Sequence, residues 1–368
     1  MTATLRVMLD QLIAPTDPDL QMASSELTRG LIAGTPEGCE VEGVAPGPAG
    51  RTVDIPGLAG VRRAPLARRE LAAAVQLGLS TGIGGGMIHS PTLFAPLVKH
   101  DRVHAHEQTV VTVWDLGPWE SPGELPKSAL GWHRAMLKRA VKYADAVVVP
   151  THSVAERLAE HARLGERIRV IAGAAPSGFS VPRDEIGRRR AMDLPEGFIL
   201  LAGRAASADA LSRGFAAIGA SGIDVPVVVI GAGEGEEPAI ADVAAAAGIP
   251  ERSLHVRGSL APEDRAAVFG GAVAFLAASE RSALPWRVLE ALALGVPVVA
   301  ASSPVHDEVI VDGGMLVDGS AEGLAAGLAE ALGSTTAAQR LAVLAADRGR
   351  AFSWRESADR VWQLHAEL

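Results

Sequence analysis

The sequence predicts an α/β protein with two domains, each built around a parallel sheet. Short apolar runs alternate with helical patterns in both halves of the chain, as at residues 198–201 and 225–230 of the second half. Aromatic residues make up only 4% of the chain, so Val, Leu, Ile and Ala supply most of the core, as is typical of buried parallel sheets. The 368 residues are enough to form two separate cores.

The elements follow one another in a regular alternation. In the first half we predict strands at 5–9, 87–88, 109–113 and 146–149, and helices at 24–32, 66–79 and 127–143, with another after the capping box at 153–156. A stretch rich in proline, glycine and charge, residues 176–196, predicts a linker. In the second half we predict strands at 198–201, 225–230, 273–278 and 296–301, and helices at 262–270, 321–332 and 354–366.

Charge and cysteine content narrow the classes of function. Residues 1–180 hold 18 basic and 18 acidic side chains, whereas residues 181–368 hold 16 and 25, which accounts for the formal net charge of −9. The acidic second half, which contains no lysine, argues against nucleic acid as a partner. The single cysteine, Cys39, excludes an intramolecular disulfide and fits a reducing cytoplasm. Neither a signal peptide nor a membrane-spanning run is predicted.

Residues 273–301 form the centre of the second domain. A buried strand ends in a polar loop at 279–285, a short amphipathic helix follows, and Gly295 is placed to end that helix in a left-handed conformation. Parallel sheets bind ligands at the carboxyl ends of their strands, where helix N-termini favour anions. Glu290 lies in this helix. Its carboxylate either accepts hydrogen bonds from sugar hydroxyls or belongs to an ordinary exposed glutamate.

Three motifs occur in and after this region: L-P-W-R-V-L-E-A-L-A-L-G-V-P-V-V-A-A-S at 284–302, H-D-E-V at 306–309 and G-G-M-L-V-D at 313–318. Together they resemble the donor site of family-4 glycosyltransferases. Members are retaining enzymes of the GT-B fold that use nucleotide sugars. The resemblance therefore implies two Rossmann-like domains facing each other across a cleft. An acceptor-side domain would span 1–180, with the C-terminal helix at 354–368 packed back on it, and a donor-binding domain would span 181–353.

The resemblance assigns donor-site roles to residues of the second domain. Glu290 would hold the ribose of the nucleotide. Gly203 and Arg204 match a Gly-Arg pair whose arginine contacts the diphosphate, and Ser282 stands where the family has a sugar-contacting glutamate. Arg204 and Ser282 are therefore candidate catalytic residues.

The family's second phosphate contact, a lysine, is missing here. Its place falls at Asp209 or Ala210, so Arg281 or Arg287 would have to compensate. The remaining donor contacts implied by the resemblance are Arg287, Val288 and Leu289 at the helix start, and Gly258 and Ser259 at the nucleobase.

Two segments of the first domain resemble acceptor-side loops of the same family. H-S-P at 89–91 makes His89 a candidate catalytic residue, with a local hydrogen-bonding role at a strand end as the alternative. The segment T-V-W-D at 112–115 places Trp114 where the family has a histidine, followed by Asp115. Both are candidate acceptor contacts.

The function implied is transfer of a hexosyl group, with mannosyl as the favoured sugar, from a nucleotide diphosphate sugar to a glycan or lipid-linked acceptor. Configuration would be retained, and no metal or other cofactor would be needed. The alternative is a catalytically silent homologue that binds a nucleotide or a partner protein, as the departures at Trp114, Asp209 and Ser282 suggest. We expect the Glu290→Ala variant to lose nucleotide binding with little change in stability.

Four arginines, at positions 62, 63, 68 and 69, precede and begin a predicted helix of the first domain. They predict either peripheral contact with anionic lipid headgroups at the inner face of the membrane or an ordinary solvated helix start.

Overall fold

The computed structural model describes residues 2–47, 52–101 and 106–368. The chain divides into two compact units. Unit 1 consists of Met1–Gly173 and Ser353–Leu368, and unit 2 consists of Ala174–Phe352. The boundary between the two units follows Gly173, shortly before the predicted linker at 176–196.

Each unit contains one parallel sheet. Unit 1 has seven strands in the order β3-β2-β1-β4-β5-β6-β7, and unit 2 has six in the order β10-β9-β8-β11-β12-β13. The strands are β1 (Ala3–Met8), β2 (Cys39–Ala45), β3 (Gly60–Arg63), β4 (Met87–Ser90), β5 (Gln108–Thr112), β6 (Ala146–Val149), β7 (Ile168–Val170), β8 (Phe198–Ala202), β9 (Val227–Ile230), β10 (Leu254–Val256), β11 (Ala272–Ala277), β12 (Val298–Ala301) and β13 (Met315–Val317). Both orders follow the doubly wound Rossmann pattern. In this pattern the first three strands are added towards one edge of the sheet, and the later strands are added on the other side of the first strand.

Helices connect the strands and cover the sheets. They are α1 (Asp10–Ile13), α2 (Pro18–Ala33), α3 (Arg68–Leu77), α4 (Gly117–Glu120), α5 (Lys127–Tyr143), α6 (His152–His161), α7 (Glu185–Ala191), α8 (Leu211–Ser221), α9 (Glu237–Ala246), α10 (Pro262–Gly271), α11 (Trp286–Leu294), α12 (Pro304–Ile310), α13 (Ala321–Leu332), α14 (Thr335–Gly349) and α15 (Trp354–Glu367). None of the helices in the described ranges is long and apolar enough to cross a membrane.

The last helix, α15, packs on unit 1. The indole N–H of Trp362 donates to the carbonyl oxygen of Leu31 at 3.0 Å, and the Ser357 hydroxyl donates to that of Ala172 at 2.6 Å. Helices α2 and α15 lie close together at Gly30, where an added Cβ would lie 2.7 Å from the carbonyl oxygen of Trp354. Gly30 thus allows the two backbones to come together.

In unit 2 the sheet positions three loops side by side. Strand β8 is flanked by β9 and β11, and all three are parallel, so the loops that follow them leave the same edge of the sheet. Helix α11 follows the β11 loop and ends at Gly295, which has a φ of +65°. The predicted helix and its left-handed glycine end are confirmed. Strands β10 and β13 form the two edges of the sheet. The inner strands belong to the core: Val228 of β9 and Val299 of β12 are fully buried.

The close approach at Gly30 leads to a prediction. Gly30→Ala should destabilise unit 1, whereas Gly131→Ala in α5 is a matched control, because a Cβ at Gly131 meets nothing within 4 Å. Both alanines gain a similar helix propensity, about 1 kcal/mol. The difference between their unfolding free energies therefore isolates the clash, which we expect to cost about 1–3 kcal/mol. Equal stabilities in urea denaturation would contradict the packing of α2 against α15.

Candidate functional site

The carboxyl edge of the unit 2 sheet brings charged residues together from neighbouring loops. The β8 loop contributes Arg204, the β9 loop contributes Glu236, and the β11 loop contributes Arg281. Asp209 lies in a short 3₁₀ turn between β8 and α8. Because the strand order fixes where these loops start, the cluster is a direct consequence of the fold.

Arg204 forms an ion pair with Glu236 across the β8 and β9 loops. Nη2 of Arg204 donates to Oε1 of Glu236 at 3.0 Å. The other carboxylate oxygen, Oε2, accepts from the backbone N–H groups of Gly233 at 2.9 Å and Ala205 at 3.2 Å. The hydrogen bond from Arg204, together with these two amides, lowers the pKa of Glu236 against a smaller opposing effect of burial. The carboxylate is therefore held as an anion among convergent donors.

Asp209 forms a second carboxylate site beside the first. Oδ2 accepts from the backbone N–H of Arg204 at 2.7 Å, and Oδ1 accepts from Nη1 of Arg281 at 2.8 Å. This is the position at which the resemblance would place a phosphate-binding lysine, so the charge is reversed there. The position had been identified from the sequence, but the contact of its carboxylate with Arg281 had not.

Two glycines make room for this cluster. A Cβ on Gly203 would lie 2.9 Å from the Cβ of Asp209, and the residue has a φ of +149°, which favours glycine. A Cβ on Gly233 would lie 2.7 Å from the Glu236 carboxyl carbon and 2.9 Å from Nη2 of Arg204. The predicted donor-site residue Gly203 therefore serves close packing around Asp209.

Glu290 lies deeper, in the middle of α11, and is completely buried. Arg265, on α10, donates from Nε to both carboxylate oxygens at 2.9 Å and from Nη2 to Oε1 at 2.6 Å. Nη1 of Arg287, one turn earlier on α11, donates to Oε2 at 2.6 Å. The remaining Arg265 donor, Nη1, bonds the carbonyl oxygen of Leu260 at 2.8 Å. One buried carboxylate thus accepts hydrogen bonds from two guanidinium groups, and its bonds to Arg265 connect α11 to α10.

These contacts exclude the alternative of an ordinary exposed helix glutamate, because the Glu290 carboxylate is buried between two arginines. Its role as a ribose contact stays a prediction. No sequence pattern indicated Arg265 as the partner of Glu290, because the two residues are 25 positions apart and lie on different helices.

The other predicted donor-site residues are spread around the same edge. Ser282 lies half-buried in the β11 loop, and Gly258 and Ser259 follow β10, with Ser259 exposed. The side chains of Val288 and Leu289 are each 2% exposed and belong to the core. The backbone N–H of Leu289 donates to the Pro285 carbonyl oxygen at 3.1 Å and is already in use. The roles of these residues as donor contacts stay predictions.

In unit 1, His89 is fully buried at the end of β4. Its Nδ1 lies 3.4 Å from Nε2 of His365 on α15, while Nδ1 of His365 contacts Oε1 of Gln108 at 2.9 Å. Burial lowers the pKa of His365 to about 4 and, with His365 close by, lowers the pKa of His89 well below its usual value. Both rings are therefore neutral at pH 7. This arrangement fits the alternative of a local role at the strand end, and a catalytic role for His89 stays a prediction.

Trp114 and Asp115 also make local contacts. The indole N–H of Trp114, which is 5% exposed, donates to the carbonyl oxygen of Pro91 at 2.8 Å. Asp115 is half-buried and accepts from the backbone N–H of Gly117 at 2.8 Å. Their role as acceptor contacts stays a prediction.

The arginine cluster of unit 1 is partly neutralised. Arg62 pairs with Glu42 at 3.6 Å, and Arg68 pairs with the buried Asp10 at 3.1 Å. Arg62 and Arg63 lie on the edge strand β3, which precedes the predicted helix, and Arg68 and Arg69 begin α3. In the described ranges, no group of three or more His, Cys, Asp or Glu side chains is arranged to hold a metal ion.

Comparison with known proteins identifies the fold of this chain. Residues 198–334, most of unit 2, match the family model described as "Glycosyl transferases group 1". Over 99% of this chain and 98% of the other, the structure resembles sucrose-phosphate synthase from Thermosynechococcus elongatus, with a TM-score of 0.74 and 16% identity. The fold is GT-B. The predicted α/β class with two Rossmann-like parallel sheets is thereby confirmed.

Two further GT-B structures are similar over nearly their whole length. Anabaena HepE in complex with UDP-glucose has a TM-score of 0.71 and 14% identity, and covers 99% of this chain and 100% of its own. WaaG, a glycosyltransferase involved in lipopolysaccharide biosynthesis, has a TM-score of 0.70 and 15% identity, over 97% and 98%. At these identities the likeness concerns the fold. No curated protein sequence matches this chain.

The surroundings of Glu290 lead to a prediction that reverses the earlier one. Glu290→Ala should destabilise the protein by about 3–5 kcal/mol, because it leaves the buried guanidinium of Arg265 without its partner. Glu280→Ala is the control: its ion pair with Arg213 is partly exposed, with side chains 44% and 31% accessible, and should contribute about 0–1 kcal/mol. Both values can be measured by denaturant unfolding.

A double variant separates lost pairing from lost packing. Glu290→Leu combined with Arg265→Met replaces the pair by apolar groups and should recover much of the stability that Glu290→Leu alone loses. If Glu290→Ala is as stable as Glu280→Ala, the ion cluster has no structural role.

Proposed function

We propose that the protein is a glycosyltransferase that moves a hexosyl group from a nucleotide diphosphate sugar to an acceptor with retention of configuration. The match of residues 198–334 to the group 1 glycosyltransferase model carries this proposal. The matched segment includes β8–β13 and therefore the carboxyl edge with Arg204 and Arg281. Structures of HepE with UDP, and with UDP and glucose, share the fold and support a nucleotide sugar as co-substrate.

The chemistry requires stabilisation of a departing diphosphate. As the bond between the anomeric carbon and the phosphate oxygen breaks, negative charge develops on the diphosphate, and a fixed cation at that point lowers the barrier. Arg204 is suited to this task because its side chain is 64% exposed at the carboxyl edge of β8. The proposed reaction needs no metal, since two arginines reach the same edge. The proposed acceptor is a glycan or a lipid-linked molecule that binds to unit 1. The proposed location of the protein is the cytoplasm, at the inner face of the membrane. Mannose is the first donor sugar to test.

A catalytically silent homologue is the second candidate. The observation that favours it is the reversed charge at Asp209, whose carboxylate faces Arg281 and the Arg204 backbone. Such a protein would bind a nucleoside diphosphate weakly, or a partner protein, without turnover.

The proposal predicts release of a nucleoside diphosphate from at least one of UDP-glucose, GDP-mannose and ADP-glucose, and the rate should persist in EDTA. Arg204→Ala should lower this rate by about 10–100-fold, because one charge-assisted hydrogen bond to phosphate is worth about 1.5–3 kcal/mol. Arg252→Ala is the control: this exposed arginine lies in the turn that precedes β10, at the opposite end of that strand.

Coupled assays of nucleoside diphosphate release measure all of these rates. Absence of release from all three sugars would end the enzyme proposal in favour of the silent homologue. A strict need for manganese or magnesium would contradict the metal-free chemistry.

A further inference from the structure

The carboxyl edge of unit 2 already contains two anions, and they belong to the chain itself. The Glu236 carboxylate accepts from two backbone N–H groups and from the Arg204 guanidinium. The Asp209 carboxylate accepts from the Arg204 backbone N–H and from the Arg281 guanidinium. Convergent loop amides with an arginine are the donors that proteins use for phosphate groups. A bound phosphate would accept from these same groups.

The charges of the cluster balance as it stands. In each of the two ion pairs one guanidinium faces one carboxylate, so the charges within each pair cancel. An incoming diphosphate would meet the two carboxylates as like charges, which disfavours binding while they stay in place. If both carboxylates turn away, two cations and three backbone N–H groups face the ligand.

The exposure of the side chains makes such an exchange feasible. The side chains of Asp209 and Glu236 are 14% and 24% exposed, and those of Arg281 and Arg204 are 36% and 64% exposed. Each pair thus has an arginine that is at least 36% exposed, so solvent screens it more than it screens a fully buried pair. Glu290, by contrast, is 1% exposed and bridges two helices, so its pairs do not exchange without opening the core.

We infer that Glu236 and Asp209 act as internal substitutes for the diphosphate of the nucleotide sugar, and that Arg281 is the second cation which binds the diphosphate once they are displaced. The inference rests on the proposed function and deepens it, because it names the residues of the phosphate subsite. Arg281, from the β11 loop, thus takes the place of the missing lysine. Until a diphosphate binds, this arginine is paired with the carboxylate of Asp209.

Calorimetric titration with inorganic pyrophosphate tests this inference. Glu236→Gln and Asp209→Asn keep the shape of the side chains and remove the competing charge, so each should tighten pyrophosphate binding by about 3–10-fold, and the double variant by more. The control is Glu251→Gln, which removes one charge at an exposed position before β10 and should leave the affinity within about 2-fold. Adding Arg281→Gln to Asp209→Asn should cancel the gain.

A second measurement uses the parent protein without substitution. On addition of pyrophosphate, the backbone amide resonances of Arg204, Ala205 and Gly233 should shift more than those of the β10 strand. Unchanged or weaker binding in both charge-removing variants, or shifts confined to other residues, would overturn the inference. No pyrophosphate binding by any variant at millimolar concentration would overturn it as well.

The two proposals fail in different ways. If pyrophosphate binding tightens as expected but no sugar nucleotide is turned over, the glycosyltransferase proposal fails and the anion subsite stands. If a sugar nucleotide is turned over while pyrophosphate affinity does not respond to Glu236→Gln and Asp209→Asn, the enzyme proposal stands and the internal substitution is wrong.

Discussion

A buried carboxylate must be paired or hydrogen-bonded, and in unit 2 two arginines meet this constraint at Glu290. Arg265 and Arg287 together give its two oxygens four hydrogen bonds, three of them from Arg265. Because the donors come from α10 and α11, the pairing fixes the start of α11 relative to its neighbour. The β11 loop ends at this helix, so the position of Arg281 depends on the same interaction.

Three acidic residues of unit 2 that bind arginines therefore differ in how deeply they are buried. Glu290 is closed off and joins two helices, whereas Glu236 and Asp209 keep partial contact with solvent beside Arg204. A buried pair is costly to break because one charge is left buried and unpaired, whereas a pair with an exposed partner contributes less to stability. Glu290, which the family resemblance marks as a ribose contact, thus lies in a buried ion cluster. Of the two carboxylates proposed to exchange with a ligand, Asp209 stands where the resemblance expects a lysine, and Glu236 is a residue that the resemblance does not mark.

Much of the fold was predictable because it follows from local patterns. Apolar runs and Gly295 were enough to predict β11, α11 and β12, since buried strands and left-handed glycine caps have clear sequence signals. Strand β3 was missed because three of its four residues are exposed, and α14 because only Ala345 of it is buried. The site was less predictable. The pairing of Arg265 with Glu290, and of Asp209 with Arg281, joins residues 25 and 72 positions apart, which no local pattern encodes.

A crystal structure of the protein with a bound nucleoside diphosphate would test the account most directly. We predict the diphosphate at the carboxyl edge of β8 and β11, bonded to Arg204 and Arg281, with the carboxylates of Glu236 and Asp209 turned away and the Arg265–Glu290 pair unchanged. A diphosphate bound elsewhere, or bound there while both carboxylates keep their present partners, would contradict it.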